Sequence, residues 1–507
     1  MISEQELVGL LYRADWTKLA LSGTVTGTDS VIGPFTAVFG SDRPQPPYRI
    51  LLEPSWLLTG YSLVLDGEET VAGRPGVRVR GTLRPVAERP TWSGMPLVGG
   101  VFAPHLRWLS GSEPRDEEVA AVVDTELGIL LRCSRGAPGA TLRVTEFLSV
   151  SGGSVSGGPK ADSWSREPEG GPGMFGDGVV GEALGTAGKE AAKAFAGLAA
   201  AGLGALVRYG PSRRVDPFAQ AAAEASDPDA KMPADETAPD QPTASVWESA
   251  AQEDGTLPDA VLHVLYRSGL AEPSFGATLH QWFAVDALLA AVPQSARGNG
   301  FGGVGFLVDA LRDSARESAA DTSHGVSTVR MGRWHEYRID IEQSLAENPL
   351  FRSLLRDKDQ AVTIASDGER RWNVFADRVM AGPATPPPSD LADLVDASWL
   401  LDRSLVLSGG SETWLGGRRA YRIVARYREA SRSGLDWWKR LLFPAVAVVD
   451  AETGLMLRLT RFKGGRPTMR QELRDLTTLN AGASFEFTPP AGLPVVDGGT
   501  RLTSSPD

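Results

Sequence analysis

Cys133 is the only cysteine in this 507-residue chain. An intramolecular disulfide and a cysteine-based metal cluster are therefore excluded, while the compartment stays open, because a disulfide-free chain is viable anywhere. Histidine is nearly as scarce. His105, His263, His280, His324 and His335 are scattered and form no HxxxH or HExxH pair, and metal binding needs clustered ligands, so no metal site is expected. Long apolar runs are missing too. None reaches the roughly 18 to 20 residues that span a bilayer; the nearest approach, "AAKAFAGLAAAGLGALVRYG" from Ala191, is rich in Ala and Gly and interrupted by Lys193. The first residues lack a basic stretch followed by an apolar core and a small-residue cleavage site. Read literally, that leaves the chain in the cytoplasm; an upstream start restoring an export signal would make it extracytoplasmic.

Positive charge is in deficit, with 51 Lys and Arg against 63 Asp and Glu and a net charge of −12. No basic stripe offsets it, so nucleic acid is not an expected partner. Catalytic signatures are absent as well. No Gly-x-Ser-x-Gly elbow has triad partners in order. "GNGFGGVG" from Gly298 breaks the phosphate-cradle spacing and is followed by no Lys-Ser/Thr, so it reads as a loop. Cys133 has no histidine near it in sequence and reads as a buried, idle thiol. Asp340 and Glu342 fall on the wet side of a strand, where solvated charge is the default. Neither an enzyme nor a bound cofactor is expected.

Repetition is what the chain does have. "PSWLLTGYSLVLDGEETVAG" from Pro54 is answered by "ASWLLDRSLVLSGGSETWLGG" from Ala397, "LVGLLYRADW" from Leu7 by "VLHVLYRSGL" from Val261, and "VVDTELGILLR" from Val122 by "VVDAETGLMLR" from Val448. Three blocks in the same order, at unequal offsets, indicate an internal duplication. The first copy covers about residues 1–150 and the second 256–497, with a tail at 498–507 expected to be disordered. Residues 151–255 form a Gly/Ser/Pro/acidic linker, expected to be flexible, around an Ala/Gly-rich helix at about 182–209 that would suit membrane-surface contact. The first copy is abridged. Its stretch between Val25 and Trp56 is far shorter than that between Leu279 and Trp399, a shortfall of about three strands and a lid, so the two copies are candidates for a shared core.

Within each copy a short helix precedes a long run of strands. "DAVLHVLYRSGL" places Val261, Leu262, Leu265 and Tyr266 at helical spacing. "VRMGRWHEYRIDIEQ" alternates Tyr337, Ile339 and Ile341 against Arg338, Asp340 and Glu342, as a strand with one wet face does. "PSFGATLHQWFAV" sets Phe275, Ala277, Leu279, Phe283 and Val285 on one side. Turns are expected at Asp367-Gly368 and Gly464-Gly465. The repeated block around Trp56 and Trp399 reads as strand, Gly-containing turn and second strand. Extra segments containing Phe306, Leu307, Ala310 and Leu311, and Leu350, Leu354 and Leu355, are amphipathic and would serve equally as lids or as ordinary surface insertions. The fold class is α+β.

In its order of elements the second copy resembles the LolA-like superfamily of lipoprotein carriers, periplasmic sensors and mycobacterial lipid-binding lipoproteins. The likeness rests on the helix, the strand pair, "SDGERRWNVFADRV", "VVDAETGLMLRLTRF" and the closing "FEFTPPAGLPVVD", in which Asp450 and Gly454 bracket a turn and Pro489-Pro490 ends a strand. A degenerate version covers residues 5–150. The resemblance implies curved antiparallel half-barrels with covering helices, and a hydrophobic small molecule or lipid held on the concave face. Trp282, Phe283, Trp372, Trp399, Tyr337 and Ile339 are the candidate ligand-binding residues, set against the plainer expectation that large aromatics fill a core. The alternative is a regulatory or scaffolding module that receives a protein segment on the same face.

Overall fold

The computed structural model describes residues 2–14, 19–29, 33–39, 50–84, 118–136, 143–154, 257–270, 274–284, 322–343, 361–384, 386–402, 405–427, 444–463, 466–480 and 483–497. The segments expected to form the linker, the Ala/Gly-rich helix, the two amphipathic insertions and the tail, together with Val285 and Gly464-Gly465, lie outside them.

Local chemistry sets the first helix, α1 (Glu4–Arg13). Ser3 Oγ accepts the Glu6 N–H at 3.2 Å while the Glu6 carboxylate takes the Ser3 N–H at 2.7 Å, a capping box that satisfies donors at the helix start. Its buried stripe is Leu7, Val8 and Leu11. A very short helix, α2 (Trp56–Gly60), follows. The second copy opens with α3 (Asp259–Arg267), which buries Val261, Leu262, Leu265 and Tyr266. Residues 50–52 are helical as well, and two further helical segments, α4 (Ser389–Val395) and the 3-10 segment Ala397–Leu401, precede the long strands of the second copy's later half.

The strands of the first copy are β1 (Leu19–Asp29), β2 (Gly33–Phe39), β3 (Tyr61–Val71), β4 (Arg74–Leu83), β5 (Glu118–Asp124), β6 (Leu130–Gly136) and β7 (Arg143–Ser154). They form one open sheet in the order β2-β1-β7-β6-β5-β4-β3. The second copy contributes β8 (Phe275–Ala284), β9 (Thr322–Met331), β10 (Glu336–Gln343), β11 (Thr363–Asp367), β12 (Arg370–Val374), β13 (Val379–Pro383), β14 (Leu405–Leu415), β15 (Arg418–Tyr427), β16 (Ala445–Asp450), β17 (Met456–Lys463), β18 (Arg466–Thr478) and β19 (Val495–Asp497). Their order is β14-β15-β16-β17-β18-β8-β9-β10-β11-β12-β13-β19. Read from β3 and from β14, the two orders agree strand for strand through β2 and β9. The larger sheet then continues through β10–β13 to β19, so among the described residues it has five strands without a counterpart in the abridged copy, four of them between β9 and Trp399 where about three were expected. All pairings are antiparallel except β13 with β19.

The same small devices recur in both copies. The Trp56 indole N–H donates to Ile50 O and that of Trp399 to Asp393 O, each at 3.1 Å and each six residues back. Asp124 and Asp450 close equivalent turns: Gly128 N donates to Asp124 O and Gly454 N to Asp450 O, both at 3.0 Å. Both glycines have left-handed φ, 74° and 73°. A Cβ on Gly128 would meet Leu10 O, and one on Gly454 would meet Val264 O, so each turn lies on the last turn of its own copy's opening helix.

Two expectations are corrected. The segment from Trp56 is helical before it becomes β3, as is Ala397–Leu401 before β14; Leu57 and Leu58, like Leu400 and Leu401, are both buried, which a strand with one wet face does not permit for neighbours. Residues 483–490 form no strand ahead of Pro489-Pro490. They cross the sheet as an extended strap, with Phe485 beneath Arg330 and Phe487 beneath Arg338.

A single apolar cluster joins the copies, since Leu7, Val25 and Leu58 belong to the same buried group as Leu262, Val329 and Leu459. Helices α1 and α3 pack antiparallel there: Arg13 in the last turn of one pairs with Asp259 in the first turn of the other. Arg84, at the end of β4, is completely buried between the copies. It donates to Leu58 O at 3.2 Å in its own copy, to Tyr266 O at 2.8 Å and to Ser268 O in the other, and pairs with Asp396 at 3.3 Å.

Candidate functional site

Strand alternation divides the larger sheet into two faces. Ala445, Ala447 and Val449 of β16 point into the shared core, whereas Val446 and Val448 belong to small clusters on the other side. From this strand the register fixes every neighbour. On the inner side one row runs Leu473, Leu279, Ser327, Ile341; the next runs Ala447, Leu459, Gln471, Gln281, Gly325; the last runs Ala445, Arg461, Met469, Phe283, Ser323. Successive rows are about 7 Å apart.

Chemistry changes along these rows. Nearest the helices the inner face is hydrocarbon and aromatic: Phe275, Met331 and Tyr337 share a row, as do Ala277, Val329 and Ile339, all in the core. The Tyr337 hydroxyl lies 3.4 Å from Pro386 O. Farther out come two glutamines and then an arginine. Arg461 and Gln471 are each only 2% exposed and Met469 3%. Helix α3 touches the opposite end of β17, where Gly454 meets Val264 O and Ser268 Oγ donates to Gly454 O. Arg461 stands five residues beyond Met456, about 16 Å along the strand from that end.

The six residues proposed from sequence do not converge. Tyr337 and Ile339 are on the inner face. Trp282 alternates with Leu279 and Gln281 and pairs with Arg470 and His324, which puts it on the outer face. Trp372 is also outside, in a cluster with Val374, Val379 and Ala381 that Phe487 and Leu493 cover; its ring centroid is 5.5 Å from that of Phe487. Trp399 sits half-buried in the 3-10 segment, its N–H committed to Asp393 O. Phe283 occupies the Met469 row; its side chain lies outside the described residues. Arg461, Gln471, Gln281 and Met469, which the register brings into adjacent rows of the inner face, were not among the six. The available signal was an arginine in phase with Leu459 in "LRLTRF".

The outer face is an electrostatic surface. Glu472, nearly buried, pairs with Arg458 at 2.9 Å and Arg474 at 3.3 Å. Burial alone would raise its carboxyl, but the two guanidiniums hold it below the usual carboxylate range. Asp450 behaves likewise: burial pushes it up, and Arg418 with the N–H and hydroxyl of Thr453 brings it lower. A cleft of about 30 Å³ between Arg422, Val446, Val448 and Arg458 has room for about one water. A shallower hollow of about 380 Å³ lies at Arg418, Arg419 and Glu452. Neither is on the inner face. Among the described residues, no three His, Cys, Asp or Glu side chains are placed to hold a metal ion, and no helix is long and apolar enough to cross a membrane.

No protein-family profile and no curated protein sequence matches the chain. Solved structures do. It is similar to an uncharacterized conserved protein from Thermus thermophilus, at 10% identity over 46% of this chain and 97% of that one, with a TM-score of 0.25. It is similar to the lipoprotein LppX of Mycobacterium tuberculosis, at 10% identity over 43% and 94%, TM-score 0.22. A LolA superfamily protein from Nitrosomonas europaea matches at 9% identity over 44% and 94%, TM-score 0.17.

Proposed function

We propose that this chain is a non-enzymatic binding protein that holds an acyl chain or similar amphiphile on the outer rows of the larger sheet's inner face. The observation that supports it is the change along that face from Ile339, Leu279 and Ile341, through Gln471 and Gln281, to Arg461 beside Met469. A surface apolar at one end and polar at the other matches a molecule with a tail and a head. Each methylene taken from water adds about 0.8 kcal/mol, so even a partly covered chain is held usefully. Tyr337, in the row nearest the helices, belongs to the core at the apolar end of this face.

Extraction of the natively purified protein followed by mass spectrometry tests this reading. An acyl lipid recovered near one equivalent supports it. Protein that carries no lipid and takes up none, yet captures one stoichiometric polypeptide in competition with the inner-face substitution Met469→Glu, would replace it with the scaffolding alternative.

A further inference from the structure

We infer that Arg461 sets the headgroup chemistry of the bound molecule, and that the ligand carries an acidic head, a carboxylate or a phosphate, placed between Arg461 and Gln471. The inference rests on the reading of the inner face as an acyl site and goes further by naming the head.

Three observations support it. First, register leaves Arg461 no choice of side. It pairs with Ala445 and Met469, and Ala445 faces the shared core, so the guanidinium stands where alternation calls for an apolar residue. It is not a surface charge folded back. Second, the row next to Arg461 carries two amides, Gln471 and Gln281, paired across adjacent strands. Amides together with a guanidinium supply several N–H donors in a small area, and a planar guanidinium binds carboxylate or phosphate through two parallel bonds. Third, the whole chain carries −12. An acidic amphiphile approaches such a protein against its field, so holding one requires a local cation at the place where its head comes to rest. Arg461 is in the row farthest from the helices, two residues from the end of β17 at Lys463, and the apolar rows lie on the helix side of it. Head outward and tail inward is the orientation this order of rows imposes.

The test uses the full chain, stripped of lipid and titrated in parallel with palmitate, palmitoyl lysophosphatidate and palmityl alcohol. The expected result is that one or both acids bind about ten- to a hundredfold more tightly than the alcohol, the range of a charge-assisted bond set against its absence; which acid wins distinguishes carboxylate from phosphate. Arg461→Met should abolish that preference by weakening the acids about ten- to a hundredfold more than it weakens the alcohol, and Arg461→Lys should retain part of it. The comparison among ligands is made on the natural chain first, so it stands even if Arg461→Met fails to fold. Equal affinity for acids and alcohol overturns the inference while leaving the acyl site intact. No binding of any of the three overturns both. A preference that survives Arg461→Met in a folded protein overturns the role given to Arg461 and shows that it only holds the sheet together.

Discussion

The phenolic oxygen of Tyr266 accepts the backbone N–H of Leu63 at 2.6 Å. Leu63 lies in β3, an edge strand of the smaller sheet, and Tyr266 in the helix of the other copy. An edge strand presents unpaired donors that invite another chain; here one is taken by a side chain from the partner copy. The ring of Tyr266 in turn lies 5.4 Å beneath the Arg84 guanidinium. One side chain thus closes a sheet edge and seats the buried cation between the copies.

Tyr266→Phe should therefore destabilise the whole chain by about 1–3 kcal/mol, the cost of leaving a buried N–H without an acceptor. Urea unfolding of the two proteins measures it. A change under a few tenths of a kcal/mol would show that water replaces the phenol.

Arg84 is the larger test of the shared core. Its removal leaves Asp396 buried and three carbonyls short of a donor, so Arg84→Ala should cost roughly 3–5 kcal/mol. The natural chain should unfold in one transition followed by probes in either sheet, because α1, α3, β3 and β17 contribute to one cluster. Two separated transitions in the natural protein would mean that each copy keeps its own core.

Gly128→Ala and Gly454→Ala probe the recurrent turn. Each forces a left-handed φ on a residue with a Cβ, at about 1–2 kcal/mol. The former should be the costlier, because its Cβ would fall 2.5 Å from the backbone oxygen of Leu10, against 3.0 Å from Val264 O for the latter. Thermal unfolding of both variants checks the order.

Acid should weaken the larger sheet. The Asp450 and Glu472 carboxyls are both held below their ordinary values in the fold. Their contribution is present above the unfolded-state values and is lost as pH falls below about 4, through the lower folded-state values. Asp450→Asn should flatten that part of the stability profile measured by denaturant from pH 6 downward. An unchanged slope would contradict the assignment.

The opening helices, the turn at Gly368, the hairpin that joins β17 to β18 and the alternation of β10 were legible because each is a local pattern. The helical start of the Trp56 and Trp399 blocks was not, since adjacent buried leucines suit a short helix and a two-sided strand equally well. The shared core was foreshadowed only by the shortness of the first copy; Arg84 meets Asp396 across 312 positions, and nothing local announces such a contact. The three tryptophans among the six candidates rested on aromatic size, which ignores which side of a strand a residue occupies, whereas Tyr337 and Ile339 followed from the alternation of β10. Trp282 and Trp372 lie on the outer face, while Arg461, in phase with Leu459, lies on the inner one.

The central claim is that an amphiphile lies on the inner face of the larger sheet, and a palmitate bearing a photoactivatable tail, with the labelled residues mapped by mass spectrometry, tests it most directly. The account predicts about one label per chain, concentrated at Leu279, Ile341 and Met469 and suppressed by unlabelled palmitate. Labels on outer-face residues such as Val446, Val448 and Trp282, or no competable labelling, would contradict it.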